Sequence, residues 1–169
     1  MGWPVAVVVV MGVAGSGKST VGVKLAARLG VEYADGDTFH PPANIAKMAA
    51  GHPLTDEDRQ AWLAALAEWV RAHSATGGVL GASLLKRGYR DQLRAAGHIW
   101  LVHLHGDREL LTERLRARTG HFMKVSMLDS QLADLEPPQP DEPGIEVDLA
   151  EPPDQIVATT LAAYRAARF

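Results

Sequence analysis

The sequence predicts an α/β protein built on a parallel sheet, and two observations predict it. Apolar, β-branched runs alternate with segments of helical periodicity along the 169 residues, which is the pattern of strands joined by crossover helices. One glycine-rich run, Gly12-Val13-Ala14-Gly15-Ser16-Gly17-Lys18-Ser19-Thr20, reads G-x-x-x-x-G-K-S and stands between such a strand and such a helix. That is the context a phosphate-binding loop requires.

Taken in order, Val5 to Met11 is apolar on both faces and reads as a buried parallel strand. In the loop that follows, Gly12, Gly15 and Gly17 let the backbone wrap an anion with no side chain between them. Its N–H groups and the start of the next helix aim partial positive charge at phosphate oxygens. Lys18 is expected to reach the β- and γ-phosphates of a nucleotide, and the Ser19 hydroxyl to ligate Mg²⁺. Val21, Leu25 and Leu29, with Lys24 and Arg28 opposite, make an amphipathic helix closed by Gly30.

Val31 to Ala34 reads as a short second strand that ends in Asp35-Gly36-Asp37. Pro41-Pro42 starts a helix running from about 43 to 50, stopped by Gly51. Thr55 is placed as the cap of the next helix, with Asp56, Glu57 and Asp58 in its first turn. Trp62, Leu63, Leu66, Trp69 and Val70 form that helix's core face. Gly77 to Gly81 is read as a third strand, and Lys86 to Asp91 opens a basic helix ending near Gly97. Ile99 to Leu104 is a fourth strand, and Asp107 caps a helix through about Arg118. From 119 to 135 a lid leads into a short helix carrying Met127, Leu128, Gln131, Leu132 and Leu135. Glu136 to Gly144 holds four of the ten prolines and is an irregular connection. Ile145 to Leu149 alternates as a fifth strand, and Pro152-Pro153-Asp154 opens the last helix.

The bulk numbers describe one soluble domain, residues 1–169, with 47% apolar and 22% charged residues. A net charge of −3 supplies no electrostatic reason for a nucleic-acid or anionic-membrane partner. The absence of cysteine excludes disulfides, thiolate metal sites and a cysteine nucleophile, and suits a cytoplasmic location. The first apolar run lacks a basic flank and is read as a strand, not a signal peptide.

A phosphate loop does not separate a kinase from a switch or a motor; the acceptor side does. Transfer to a hydroxyl needs a base for its proton, cations for the spreading phosphate charge, and exclusion of water. Asp35 and Asp37 stand at the carboxyl end of a strand, where ligands of open α/β sheets bind. If the strand persists, both point the same way, one to orient metal-bound water and one to take a proton. Lys86 and Arg90 share a helix face by spacing and suit an anionic acceptor; a solvated basic face is the plainer reading. Arg114 and Arg118, at the same spacing, are placed to close over the phosphates, and both also suit a helix C-terminus. His103 and His105 alternate on one strand with no third ligand near, so they are read as structural.

Asp35-Gly36-Asp37 with His40-Pro41, Asn44, Lys47-Met48, Gly51, Pro53-Leu54, Asp56, Asp58-Arg59 and Trp62-Leu63 resembles the bacterial-type gluconokinase family. So do Lys86 with Tyr89-Arg90-Asp91, and Gly120-His121-Phe122-Met123 followed by Leu128, Ser130-Gln131 and Leu135-Glu136-Pro137. The resemblance implies a P-loop kinase fold: a five-stranded parallel sheet in order 2-3-1-4-5, helices on both faces, and a lid over about 118–136. It implies transfer of the ATP γ-phosphate to the 6-hydroxyl of D-gluconate with Mg²⁺, by a homodimer. By position, Asp37 is then the base and acceptor ligand, and Asp35 the Mg²⁺ partner through water. His40, Lys86, Arg90 and His121 are gluconate contacts, and Arg114 and Arg118 act with Lys18 on the phosphates. Leu84 stands where the family carries alanine, and Lys124 where many members carry proline. The alternatives are a kinase for another small acceptor, such as a shikimate-like acid or a nucleoside monophosphate, and a nucleotide-binding regulatory protein without catalysis.

Overall fold

The structure, a computed structural model, describes residues 6–117 and 125–167. Five strands, β1 (Val7–Met11), β2 (Tyr33–Asp35), β3 (Gly78–Gly81), β4 (Ile99–His105) and β5 (Gly144–Asp148), form one sheet in the order β2-β3-β1-β4-β5. Every neighbouring pair is parallel, with Val8 of β1 opposite both Val79 and Trp100. The helices are α1 (Lys18–Leu29), α2 (Pro42–Ala49), α3 (Gln60–Ala72), α4 (Arg87–Arg94), α5 (Arg108–Ala117), α6 (Val125–Asp134) and α7 (Pro153–Ala166).

Strand β1 is buried along its whole length and feeds two cores by alternation. Val8 and Val10 face Val21 and Leu25 of α1, Leu111 and Leu115 of α5, and Ile156, Val157 and Leu161 of α7. Val7, Val9 and Met11 face Trp62, Leu63, Leu66 and Val70 of α3 with Tyr89 and Leu93 of α4. Each fully buried Leu contributes about 1.5–3 kcal/mol, so the strand is stabilised from both sides and has no solvent face for polar residues.

Several elements sit differently from the sequence reading, each for a local reason. Strand β2 starts at Tyr33, and a 3₁₀ turn takes over at Gly36–Phe39. The strand therefore does not persist through Asp37; the Asp35 carboxylate accepts the Asp37 N–H at 3.0 Å and turns the chain. Thr55 does cap, but it closes a turn: its Oγ1 accepts the Asp58 N–H while its own N–H donates to Asp58 Oδ2. Helix α3 begins five residues later, at Gln60. Asp107 caps α5 as expected, accepting the Leu110 N–H at 2.8 Å. The lid expected over 118–136 falls in part outside the described residues. Its described portion includes α6, whose Met127 and Leu128 are buried.

Leu84 follows β3 with φ at 39°, the only non-glycine left-handed backbone among the described residues. Its side chain is fully buried in the α3–α4 core, so the larger residue at this position is accommodated. Such a conformation is strained by about 1–3 kcal/mol and persists only where the surroundings over-determine it.

Candidate active site

Helix α1 begins without protection. Its N-cap, Gly17, has φ 93° and offers no side-chain cap, and no acid stands in the first turn. The first N–H groups are thus left for an outside anion, and the helix dipole favours one. Gly15, at φ 85°, adopts the backbone an L side chain avoids and lets the loop curl over that point. Lys18 reaches back along the loop, its Nζ 3.0 Å from Gly12 O and 3.3 Å from Val13 O.

The loop divides two openings. The larger is a cavity of about 500 Å³, with Gly15, Gly17, Lys18 and Ser19 at one end. The smaller cleft, about 270 Å³, shares Gly15 and Gly17 and adds Thr20, Arg114, Leu149 and Pro153. Arg114 donates to Leu149 O at 2.8 Å, and its Nη1 lies 3.9 Å from where a Cβ on Gly17 would stand. A guanidinium thus sits beside the start of α1. Arg118 and His121 lie outside the described residues.

Asp35, Asp37 and His40 line the larger cavity together with Lys18 and Ser19. The two carboxylates reach it through the 3₁₀ turn and not by strand alternation. The turn is braced from behind by Trp62, whose Nε1 donates to Gly36 O at 2.8 Å. His40 stacks on Trp62, ring centroids 4.5 Å apart. Burial first, and the charge of Arg59 second, pull its pKa down to about 4, so the imidazole is neutral at physiological pH.

Tyr33 also borders this space, and two glycines make room for it. A Cβ on Gly22 would lie 2.3 Å from its ring, and one on Gly81 2.5 Å from its hydroxyl. Burial first, and the nearby charge of Asp35 and Asp37, push the phenol pKa up.

Two predicted acceptor contacts stand elsewhere. Arg90 has no exposed surface; its Nε and Nη2 grip Glu142 at 2.7 and 3.0 Å, and Nη1 donates to Leu84 O at 2.9 Å. It does not line the cavity. Lys86 is the N-cap of α4 with extended backbone, so the helical spacing that paired it with Arg90 does not apply. Its ammonium pairs with Asp56 at 3.0 Å, 5.8 Å from the centre of the Tyr89 ring, and it does not line the cavity.

The cation that does line the larger cavity with Lys18 and His40 is Arg59. Its Nη1 donates to the Tyr89 hydroxyl at 3.0 Å, and its Nη2 lies 3.8 Å from Asp134 Oδ2. The Tyr89 hydroxyl in turn donates to Asp56. That bond first, and Lys86 second, hold the Asp56 carboxyl below its ordinary range. Among the acids of 56–58, Arg59 reads as one more surface charge. The signal was its phase, since 59, 62, 63 and 66 fall on one helical face and Trp62, Leu63 and Leu66 are buried. Gln131 was visible the same way, as a polar residue inside the apolar series of α6, and it too lines the cavity. His103, buried on β4, is hydrogen-bonded to Glu146 at 2.9 Å, away from this site.

An anion cradle, a pair of carboxylates and a half-buried guanidinium around one cavity can hold a polyphosphate end-on against a small hydroxylated acid. Comparison with known proteins agrees. Residues 8–141 match the family described as AAA domain. The chain is 47% identical to a gluconokinase from Gluconobacter oxydans (strain 621H), over 94% of this chain and 90% of that protein. It is 43% identical to the thermoresistant gluconokinase of Escherichia coli (strain K12), over 90% of each. The crystal structure of a gluconokinase from Sinorhizobium meliloti 1021 superimposes with a TM-score of 0.88 at 45% identity, covering 98% of this chain and 94% of that one.

Proposed function

Since the chain belongs to the gluconokinase family, we propose that it transfers the γ-phosphoryl group of ATP to the 6-hydroxyl of D-gluconate, giving 6-phospho-D-gluconate and ADP. The observation that carries this reading is the placement of Asp37 and Arg59 in the same cavity as Lys18 and the uncapped start of α1.

The chemistry follows from the placement. The nucleotide base occupies the smaller cleft, against Leu149 and Pro153, and the phosphates cross the loop between Gly15 and Gly17. The gluconate carboxylate meets Arg59, whose fork suits it. Asp37 accepts the proton of the 6-hydroxyl as its oxygen bonds to the γ-phosphorus, and the bond from that phosphorus to the β,γ-bridging oxygen breaks, releasing ADP. Lys18 and Arg114 offset the charge that spreads over the phosphoryl oxygens. His40 presents a neutral N–H to the sugar hydroxyls. Lys86 and Arg90 frame this wall from outside.

An all-oxygen set of Ser19, Asp35 and Asp37 around one cavity fits a hard cation that keeps most of its waters. We assign Ser19 to bind Mg²⁺ directly and Asp35 through water. Held there, such an ion would supply positive charge against the phosphates, beside Lys18. We further read the protein as a cytoplasmic homodimer with a lid over about 118–136. No helix among the described residues is long and apolar enough to cross a membrane.

A coupled assay of ADP release with gluconate, shikimate, glycerate and nucleoside monophosphates tests the reading. Gluconate is expected to give the highest kcat/KM; release no faster than background ATP hydrolysis would refute it.

A further inference from the structure

One short run, from Gln131 to Glu136, touches three parts of the site. Gln131 Oε1 accepts the backbone N–H of Ala14, in the phosphate loop, at 2.7 Å. Asp134 lies 3.8 Å from Arg59. Glu136 donates its N–H to Leu85 O at 2.7 Å, and its carboxylate accepts the Arg87 N–H at 2.8 Å, so it caps α4 and pins the exit of β3. Ala14 and Gln131 both line the acceptor cavity. The neighbouring Ser16 N–H is turned to Val13 O within the loop, whereas the Ala14 N–H is spent on a helix far along the chain.

We propose that Gln131 is a positioning residue that couples the two substrates. Resting on the kinase reading above, the proposal is that the Gln131–Ala14 hydrogen bond makes the phosphate loop and the Arg59 wall move as one body. A triphosphate that orders the loop then orders α6, and with it Asp134, Arg59 and the exit of β3, before the acceptor arrives. Coupling of this kind is reciprocal: each substrate tightens the other by the same factor.

The test is calorimetric titration of gluconate with and without the non-hydrolysable analogue AMP-PNP and Mg²⁺, in wild type, Gln131→Ala and Gln131→Met. Methionine keeps the side-chain volume if alanine unfolds the helix. Wild type is expected to bind gluconate at least about fivefold tighter with AMP-PNP, the lower end of ordinary coupling. The variants should show less than twofold, with KM for gluconate at saturating ATP rising by the coupling lost and kcat falling less than that KM rises. No coupling in wild type, or equal coupling in the variants, overturns the proposal. Exchange of the Ala14 amide in the nucleotide-free enzyme separates the two readings. If gluconate does not bind at all, the substrate assignment fails, while Ala14 exchange at least tenfold faster in Gln131→Met still supports the contact. Unchanged exchange refutes it.

Discussion

Asn44 fixes the tautomer of His40. One Nδ2 hydrogen of Asn44 goes to Asp58 O at 2.7 Å, and a carbonyl only accepts, so the amide orientation is set. The same Nδ2 lies 3.2 Å from His40 Nδ1, which must therefore accept, leaving the ring hydrogen on Nε2. Asp58 is itself anchored by Lys47 at 2.6 Å and by Thr55, which hold its carboxyl down at about 2.

The first prediction is a pH window. A ring kept neutral by the fold, with its pKa pulled from 6.5 to about 4, loses stability as pH falls from 6.5 towards 4, where the unfolded ring protonates and the folded one does not. Above 6.5 it contributes no pH dependence. NMR titration should place the His40 midpoint near 4. The Tm difference between wild type and His40→Asn should shift against wild type across that window and stay constant above it.

Asp37→Asn keeps the size of the turn residue but removes the carboxylate proposed to accept the proton. We expect kcat to fall by at least about 10²-fold, with KM for ATP within threefold. Near-normal turnover would show that the proton leaves by another route.

Arg59 and Arg90 should separate binding from stability. Arg59→Ala is expected to raise KM for gluconate by roughly 10–100-fold, the loss of a charged hydrogen-bonding partner at about 1.5–3 kcal/mol, with little change in KM for ATP. Arg90→Ala instead leaves Glu142 buried and short of a cation, a loss of about 3–5 kcal/mol. That is roughly 6–20 °C in Tm for a domain of this size.

Glu142 carries its own acid signature. Burial pushes its carboxyl up, but Arg90, the Gln139 N–H and Arg94 outweigh burial and hold it at about 2, against an ordinary 4.5. Its contribution is complete above pH 4.5 and is lost as pH falls towards 2. Glu142→Gln should be less stable at neutral pH and flatter through that range in acid unfolding curves.

Gly22→Ala should destabilise although alanine is the better helix former by about 1 kcal/mol. The added methyl would lie 2.3 Å from Tyr33, and overpacking of that kind costs about 1–3 kcal/mol. In a Tyr33→Ala background the same change should become neutral or stabilising by urea denaturation.

The alternation of strands and helices and the phosphate loop were legible because short-range pattern determines them: an apolar run such as Val7–Met11 has few homes other than a buried strand. The strand order followed from the family resemblance and not from local pattern. The acceptor wall was less so. Arg90 looked like a ligand because its partner, Glu142, lies 52 residues away in the proline-rich connection before β5, and no local periodicity announces that pairing. Asp35 and Asp37 do line one cavity, but not by strand alternation, since a side-chain hydrogen bond to Asp37 N–H ends the strand early. Arg59 was hidden by the acids beside it, and only its phase with Trp62 marks it as inward.

The glycine-rich loop is a party wall: Gly15 and Gly17 belong to both openings. An inhibitor built for one chamber alone would leave the other occupied by its natural guest. A molecule that joins an adenosine-like head to a sugar-acid tail must carry a tether able to thread past bare backbone, slim and anionic like the polyphosphate it replaces. Redesign of acceptor preference on the far side of that wall has to preserve the tie from Gln131 to Ala14, or the grip on the nucleotide changes with it.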